Sequence, residues 1–442
     1  MKLPMPAPGH DALLSKLLER GTNELVRLFS TPIDDSPHFH WDQLRHRTPP
    51  NGWSHEEWWF AVKSRRLQQR REVNLRDKAG RKFTFVLTDK ILKACEEISS
   101  RASGQVAAAG QILTTQGRNQ YIIKSLVEEA ITSSQLEGAS TSRRVAKQLL
   151  ESGRQPADKS ETMILNNYVA MQHIKETSQD ALTPERVQHL HRLLTEDTLD
   201  DPNDAGRLET PDHTRVSVWD QDIQVHMPPP AAELPQRLQE LCDFANGTGG
   251  TESYLPPVVR AIIVHFMFGY DHYFADGNGR TARSLFYWSM LHEGYWLSEY
   301  VTISRILRKA PSKYAISYLY TEDDESDLTY FIHYQLDVFI RALNDLDDYL
   351  AAKSQELQSL KHALRSDGAG LNHRQINTLE WLARDDSHST NVITYAHRFR
   401  IGEQTARNDL NELTTLGHAI QVKSGRANTW RVNPRLNKHL GV

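Results

Sequence analysis

The chain has 442 residues, which is more than one ordinary domain needs, so we expect two or three domains. With 39% hydrophobic and 24% charged residues, its composition is typical of a soluble globular protein. The net charge of −4 excludes an overall basic nucleic-acid binder, and two cysteines, Cys95 and Cys242, exclude a disulfide framework. No segment is long and apolar enough to span a membrane, so we expect a cytoplasmic protein without membrane contact.

Residues 1–105 are predicted to form an N-terminal α+β module. Aromatic residues at 53–60 precede a basic run at 63–71, and two strand-like segments, 73–75 and 83–87, flank a turn and predict a hairpin. Aromatic rings beside arginines can stack on nucleic-acid bases. The favoured interpretation is a small core next to a solvated helix face, because charge runs usually lie in solvent.

The middle of the chain is predicted to be helical after a linker at 100–110 that is rich in Ala, Gly and Ser. Apolar residues recur at helical spacing from Tyr121 to Ile131, and further helices are expected from Ala146, at 161–175 and after Pro184. Two short alternating segments within 216–227 predict a second β-hairpin.

The run from His272 to Arg283 carries most of the chemistry of the chain. It combines a histidine, a carboxylate, a Gly-Asn-Gly turn and two arginines between two apolar helical segments. A glycine-rich turn that opens a helix directs backbone N–H groups and the positive end of the helix dipole at one point. Arginines three residues apart share a helix face and can bind phosphate oxygens. The run therefore predicts a nucleoside triphosphate site with a general base.

Residues 371–442 are predicted to form a winged helix-turn-helix of three helices and two strands, with residues 404–413 as its recognition helix. This segment holds ten Lys/Arg and six Asp/Glu, a net charge of +4, so the rest of the chain carries −8. A basic domain on an acidic protein favours DNA contact. The alternative is a winged helix that mediates protein contacts or dimerisation.

The 272–283 run resembles the signature of the Fic family, His-Pro-Phe-x-Asp/Glu-Gly-Asn-Gly-Arg-x-x-Arg. Eight of the nine specified positions match, and the exception is Tyr273, where the family usually has proline. The resemblance spans residues 118–350. It implies a mainly α protein with an all-helical Fic core and a small β-hairpin flap, accompanied by the N-terminal module and the C-terminal winged helix.

The resemblance implies transfer of AMP from ATP to a Ser, Thr or Tyr hydroxyl of a protein, with loss of pyrophosphate. His272 is then the base, and Asp276 holds Mg²⁺ between the phosphates. The residues implied to bind the nucleotide are Gly277, Asn278, Gly279, Arg280, Arg283 and Tyr314. The Asn278 side chain is expected to add a donor to the phosphates, and glycine at 279 separates this chain from family members that carry lysine there and transfer the γ-phosphate.

A second family pattern, Ser/Thr-x-x-x-Glu-Gly/Asn, matches Ser133, Glu137 and Gly138. In the family this helix is inhibitory, and its glutamate pairs with the second arginine of the signature, here Arg283. An arginine held by a carboxylate cannot also bind the γ-phosphate, so the resemblance implies a self-inhibited enzyme.

The partners implied are a protein target, docked by strand pairing on the 216–227 flap, and DNA on residues 371–442. Two other functions stay open at the level of sequence. The first is a DNA-binding regulator whose Fic core senses nucleotide. The second is an enzyme that removes AMP from a modified protein at the same site. A homodimer is also left open.

Overall fold

The computed structural model describes residues 2–102, 115–152, 154–212, 214–220, 222–248, 254–366, 370–383, 388–424 and 427–434. Within these residues the structure is mainly helical, and its strands form three antiparallel two-stranded hairpins. The predicted mainly α fold is confirmed. No described helix is both long and apolar enough to cross a membrane.

The N-terminal part forms helices and one hairpin: α1 (His10–Glu19), α2 (Thr22–Ser30), α3 (Trp41–Leu44), α4 (His55–Gln69), β1 (Arg70–Arg76), β2 (Lys82–Val86) and α5 (Asp89–Ala102). Helix α4 begins with a capping box in which Ser54 and Glu57 satisfy each other's backbone N–H groups. The linker expected from Ser100 is wrong at its start, because Ser100–Ala102 end α5, where Ala102 is buried. Residues 103–110 of that linker lie outside the described residues.

The solvated basic face expected at 63–71 is wrong for two of its cations. Lys63 and Arg66 are buried. The Lys63 ammonium donates to Asp324 Oδ1 at 2.6 Å, and the Arg66 guanidinium binds both carboxylate oxygens of Asp35. Carboxylates supplied by distant segments make burial of these charges possible. Neither cation is free to contact nucleic acid.

The central part is built from α6 (Thr115–Leu136), α7 (Arg143–Ser152), α8 (Lys159–Thr177), α9 (Pro184–Thr195), β3 (Val218–Asp220), β4 (Ile223–His226), α10 (Leu234–Ala245), α11 (Pro257–Asp271), α12 (Asn278–His292), α13 (Ile303–Lys309), α14 (Pro311–Asp323) and α15 (Thr329–Ser366). Strands β3 and β4 form the hairpin predicted at 216–227, although Gln221 in its turn lies outside the described residues. Helix α11 is apolar around most of its circumference and therefore lies in the centre of the core.

The C-terminal part contains α16 (His373–Ala383), α17 (Val392–Phe399), α18 (Glu403–Thr415), β5 (Ala419–Ser424) and β6 (Ala427–Val432). Its core contains Leu379, Tyr395, Leu410, Leu413 and Trp430. The element order is the one predicted, while Gly425 and Arg426 in the hairpin turn lie outside the described residues.

Contacts divide the described chain into two compact units. Among the described residues, one unit contains those up to 102 together with those within 124–342, and the other contains those within 115–123 and 343–434. The N-terminal residues therefore share a unit with the helices that carry the 272–283 run. The domain boundaries expected at 105, 118, 350 and 371 stay predictions.

Candidate active site

The turn that carries the candidate base joins the two central helices. Helix α11 starts with Pro257 at its first position and ends where His272 adopts a left-handed backbone, with φ 51° and ψ 64°. Gly277, with φ 80°, is the N-cap residue of α12. This left-handed conformation favours glycine, and an added Cβ would lie 2.7 Å from Cγ2 of Thr195.

The His272 side chain is half-buried and its environment keeps it neutral. Burial, followed by the guanidinium of Arg215, lowers the pKa of His272 to about 4. Arg215 donates to the backbone oxygen of His272 at 2.7 Å and also to that of Asp271. A neutral imidazole retains one basic nitrogen and can accept a proton from a hydroxyl.

Asn278 holds this turn together from inside. Its Oδ1 accepts the backbone N–H of Phe274 at 3.0 Å, and its Nδ2 donates to the Phe274 oxygen at 2.6 Å. The same Nδ2 lies 3.1 Å from Nδ1 of His272. The amide therefore orients the His272 ring. The expectations that His272 is the base and that Asn278 also donates to phosphates stay predictions.

The first turn of α12 has the backbone geometry and the polarity that suit an anion. The backbone N–H groups of a first helical turn have no intrahelical acceptor, and the helix dipole makes this end electropositive. Behind the turn, His191 Nε2 lies 2.8 Å from the oxygen of Asp276, and its ring stacks on Phe274. Because the Gly206 N–H donates to His191 Nδ1, the Nε2 atom carries the proton in this bond. His191 thus supports the turn.

Asp276 lies at the rim of the turn, with a side chain that is 61% exposed. Its Oδ1 accepts the N–H of Gly277 at 2.6 Å, and its Oδ2 is 3.9 Å from the Arg280 guanidinium. The described residues contain no group of three or more His, Cys, Asp or Glu that could hold a metal ion. An exposed carboxylate beside an anion site fits Mg²⁺, which is often held by one carboxylate, water and phosphate oxygens.

The two signature arginines are both buried. Arg280 donates from Nη1 to the Leu194 oxygen at 2.7 Å, and burial lowers its pKa. For Arg283, burial also acts to lower the pKa, but Glu137, Tyr314 and Glu129 together outweigh it, so the pKa is raised. Both therefore remain cationic at neutral pH.

Arg283 is bound by the end of helix α6. Its Nε donates to Ser133 Oγ at 2.9 Å, and its Nη2 donates to the Ser133 oxygen at 3.0 Å and to Glu137 Oε1 at 2.8 Å. Gly138 follows with φ 93° and makes no close contact at its Cβ position, so its left-handed backbone explains the glycine. The helix therefore ends where Glu137 can reach Arg283.

The Glu137 carboxylate also lies directly over Gly279. A Cβ at position 279 would clash with Oε1 of Glu137 and would lie 2.9 Å from its Cδ and 3.1 Å from Nη1 of Arg283. A side chain at 279 is incompatible with this position of Glu137. The carboxylate thus occupies the approach to the first turn of α12.

Buried polar contacts fix α6 upstream of this glutamate. Ser134 Oγ donates to the oxygen of Met163 at 3.1 Å, and the Glu129 carboxylate accepts the N–H of Ser304 at 3.2 Å. No local sequence pattern predicts either hydrogen bond, because their partners lie 29 and 175 positions apart.

These elements surround one cavity of about 240 Å³. The residues that line it include Glu137, Val218, Val225, His272, Asn278, Gly279, Ala282 and Tyr314. The hydroxyl of Tyr314 lies 2.8 Å from Nε2 of the buried His265. Glu137 after α6, the β3–β4 hairpin, His272 and the first turn of α12 therefore face the same space.

Two residues that the sequence did not single out join the flap to this turn. Arg215, just before the flap, binds the backbone of the His272 turn. His226, at the end of β4, lies 2.7 Å from the oxygen of Tyr270 and 2.8 Å from Oε2 of Glu322. No spacing rule identifies either residue, although His226 lies inside the predicted hairpin.

The family comparison agrees with the geometry. The Fic/DOC family model matches residues 181–290, which include the whole 272–283 run. The chain contains a Fic domain at residues 181–290. The predicted resemblance is thereby confirmed at the level of the domain.

Individual relatives of this Fic domain protein are distant. Protein adenylyltransferase fic-1 of Caenorhabditis elegans is 30% identical over 117 residues, which make up 26% of this chain and 20% of that protein. The chain thus matches only about one fifth of the length of this curated relative.

Two solved structures of Fic proteins align with this chain. A Fic family protein from Desulfovibrio desulfuricans G20 aligns over 79% of this chain and 98% of its own, with a TM-score of 0.52 and 19% identity. Fic-1 from C. elegans aligns over 60% of this chain and 72% of its own, with a TM-score of 0.44 and 22% identity.

Proposed function

We propose that this Fic domain protein is a protein adenylyltransferase that transfers AMP from ATP to a Ser, Thr or Tyr hydroxyl and is inhibited by its own helix α6. The observation that carries the proposal is the double contact of Glu137, which binds Arg283 and covers Gly279 within the cavity that also contains His272. A carboxylate that covers the phosphate-binding groups would prevent transfer, which supports a catalytic site beneath it.

In the proposed reaction His272 removes the proton of the target hydroxyl as its oxygen attacks the α-phosphorus of ATP. The new bond joins that oxygen to the α-phosphorus, the bond from the α-phosphorus to the α,β-bridging oxygen breaks, and pyrophosphate leaves. A hydroxyl with a pKa near 10 or higher attacks poorly unless a base takes its proton. With a pKa of about 4, His272 is already neutral and ready to accept it.

The triphosphate is placed by this chain's own groups. Backbone N–H groups of the first turn of α12 would bind the α- and β-phosphates, and Arg280 and Arg283 would stabilise charge on the β- and γ-phosphates. Asp276 would hold Mg²⁺, which supplies further positive charge to the phosphates when bound. Tyr314, on the cavity wall, would contact the nucleoside.

The inhibition acts on this placement. While Glu137 holds Arg283, that guanidinium is not available to the γ-phosphate, and the carboxylate repels any phosphate that approaches Gly279. ATP would then bind, if at all, in a position from which transfer does not occur. Release of α6 from Arg283 would restore both the guanidinium and the space.

The target segment would pair with the flap. Strands β3 and β4 form a two-stranded sheet, and Val218 and Val225 face the cavity. Backbone pairing with such an edge aligns an extended segment without demanding a particular sequence. A hydroxyl side chain on that segment would be brought beside His272.

The experiment is labelling with α-³²P-ATP and Mg²⁺, with the protein itself as acceptor. We compare the wild-type chain, Glu137→Gly and Glu137→Gly combined with His272→Ala. Loss of one charge-assisted contact corresponds to about 1.5–3 kcal/mol, so Glu137→Gly is expected to raise labelling about 10- to 100-fold. The double variant is expected to bind ATP and to show no labelling.

Two controls separate the alternatives. Parallel labelling with γ-³²P-ATP detects phosphate transfer, which is expected to be absent. Incubation of the AMP-modified protein with the wild-type chain detects AMP removal. If Glu137→Gly binds ATP but transfers no α-label, the adenylyltransferase proposal is wrong.

A further inference from the structure

Helix α18 of the C-terminal part has one face made of amide and guanidinium side chains. Its inner face packs into the core through Ala406, Leu410 and Leu413. The exposed residues on the opposite side recur at i, i+3, i+4 and i+7, and they are Gln404, Arg407, Asn408 and Asn411. We call these four residues the α18 stripe.

The composition of the α18 stripe fits base edges. Asn and Gln can donate to and accept from adenine together, and Arg donates two parallel bonds to guanine in the major groove. From Gln404 to Asn411 the stripe covers seven residue-to-residue steps, which is about 10 Å along the helix at 1.5 Å per step. Stacked base pairs rise about 3.4 Å each, so the stripe matches about three base pairs.

Two acidic residues of the same helix, Asp409 and Glu412, bind neighbouring side chains of the C-terminal part. Asp409 is buried and binds Arg374, Tyr395 and Asn372. Glu412 accepts a hydrogen bond from Gln375 at 2.8 Å. Neither carboxylate belongs to the stripe. The third acidic residue of α18, Glu403, is exposed at the first position of the helix, one residue before Gln404 and four before Arg407.

The elements before and after α18 in the chain carry exposed cations. Helix α17 ends at Phe399, Arg400 takes a left-handed conformation, and α18 begins at Glu403, which gives a three-residue turn between two helices. Arg398 and Arg400 are exposed before α18 in the chain, and Lys423 and Arg431 are exposed in the hairpin that follows it. Such positions suit phosphate contacts.

We propose that the C-terminal part binds double-stranded DNA and that the α18 stripe reads bases in the major groove. The charge and the donor pattern of the face select a nucleic acid duplex over a protein partner, because its exposed centre lacks the aromatic and apolar residues that anchor protein interfaces. The proposal is independent of the chemistry at His272.

The first test exposes the full-length chain to a pool of random duplexes and sequences those it retains. We expect enrichment of a short motif that contains guanine and adenine positions, and binding that weakens steeply with salt. Absence of binding at low salt, or retention without any enriched motif, overturns base reading by the stripe.

The second test separates base reading from charge. Arg407→Lys keeps the positive charge but loses the guanidinium fork, so affinity for the enriched motif should fall about 10- to 100-fold while affinity for unrelated duplex stays unchanged. Lys423→Ala should instead weaken both duplexes to a similar extent. Measurement is by fluorescence anisotropy at fixed salt.

The matched control is Arg27→Lys, the same change at an exposed arginine of α2, which should leave both affinities unchanged. All three substitutions are on exposed side chains, so unchanged melting temperatures are expected. Equal losses on motif and unrelated duplex with Arg407→Lys would overturn the stripe as a base reader. If a protein is bound through this face in place of DNA, no duplex will be retained, and the proposal fails.

Discussion

The hydroxyl of Tyr273 donates a hydrogen bond of 2.7 Å to Oδ2 of Asp271, and these two residues enclose His272 in the chain. Both side chains are buried, and the other oxygen of Asp271 accepts from Arg237 Nε at 2.8 Å. The Fic pattern usually has proline where Tyr273 stands. In this chain the bond restrains the left-handed turn that a proline ring would otherwise stiffen.

We therefore expect Tyr273→Phe, made in the Glu137→Gly protein, to lower kcat for adenylyl transfer about 5- to 20-fold. The phenyl ring keeps the packing, but one hydrogen bond to a buried carboxylate is lost, which is worth about 1–2 kcal/mol. The KM for ATP should not change, because Tyr273 is not among the groups proposed to bind the nucleotide. Tyr273→Pro should retain more activity than Tyr273→Ala.

Tyr330 offers a matched control. Its buried hydroxyl donates to Asp324 Oδ2, also over 2.7 Å, and neither residue is a neighbour of His272 in the chain. Because its hydroxyl also accepts from Arg66 Nη1 at 2.7 Å, Tyr330→Phe should lower the melting temperature at least as much as Tyr273→Phe and leave kcat unchanged. Equal effects of the two substitutions on kcat would mean that Tyr273 contributes stability alone.

The parts of the site that the sequence predicted share one property, which is that their residues are contiguous or follow a short pattern. The turn from His272 to Arg283 and the end of α6 at Glu137 are of this kind. Arg215 binds the His272 backbone from 57 positions away, and no local rule connects the two residues. Only the fold brings them together.

The same reason explains the wrong expectation for the basic run. Lys63 resembles a solvated lysine in sequence, because the carboxylate that permits its burial, Asp324, lies 261 residues away. A local pattern of polar and apolar residues does not reveal a partner at this distance in the sequence. Hairpins and helices were predictable because turn residues and apolar periodicity are local.

Gly279→Ala should have opposite effects in two backgrounds. In the wild-type chain the new Cβ collides with Glu137, a flexible side chain, and should displace it from Arg283, so labelling should rise several-fold. In the Glu137→Gly protein nothing inhibitory remains to be displaced. There the Cβ lies 3.1 Å from Nη1 of Arg283 and narrows the phosphate site, so labelling should fall.

The measurement is the initial rate of α-label incorporation for all four combinations of residues 137 and 279. Gly9→Ala serves as a control, because its Cβ meets no neighbour and its backbone, with φ −62°, accepts a side chain without strain. A decrease with Gly279→Ala in both backgrounds would show that Glu137 does not cover Gly279 in solution.

Ser133→Ala should release part of the inhibition. The hydroxyl of Ser133 accepts a hydrogen bond from Arg283 Nε, and its loss weakens the contact of α6 with the guanidinium while Glu137 remains. We expect labelling to rise about 3- to 10-fold, less than with Glu137→Gly, because one of several bonds is removed. Ser134→Ala is the neighbouring control, since its hydroxyl bonds to Met163 and not to Arg283. Equal activation by both would indicate general loosening of α6.

The rate of transfer should be almost independent of pH between about 6 and 8. Catalysis requires neutral His272, and burial together with Arg215 lowers its pKa to about 4, so the neutral form predominates throughout this range. As pH falls through the lowered pKa, His272 gains a proton and the rate should decline. An unperturbed histidine would instead lose half its activity near pH 6.5.

The profile is measured as kcat/KM for ATP in the Glu137→Gly protein, because this parameter reports the groups of the free enzyme. Arg215→Gln removes the cation next to His272 and should move the acid limb to higher pH, while burial keeps it below the value of a free histidine. Arg186→Gln, at an exposed arginine of α9, is the control and should leave the limb in place. If the acid limb lies at pH 6.5 and does not move with Arg215→Gln, His272 is not the group that titrates. Neither burial nor the guanidinium would then lower the pKa of the group that limits the rate.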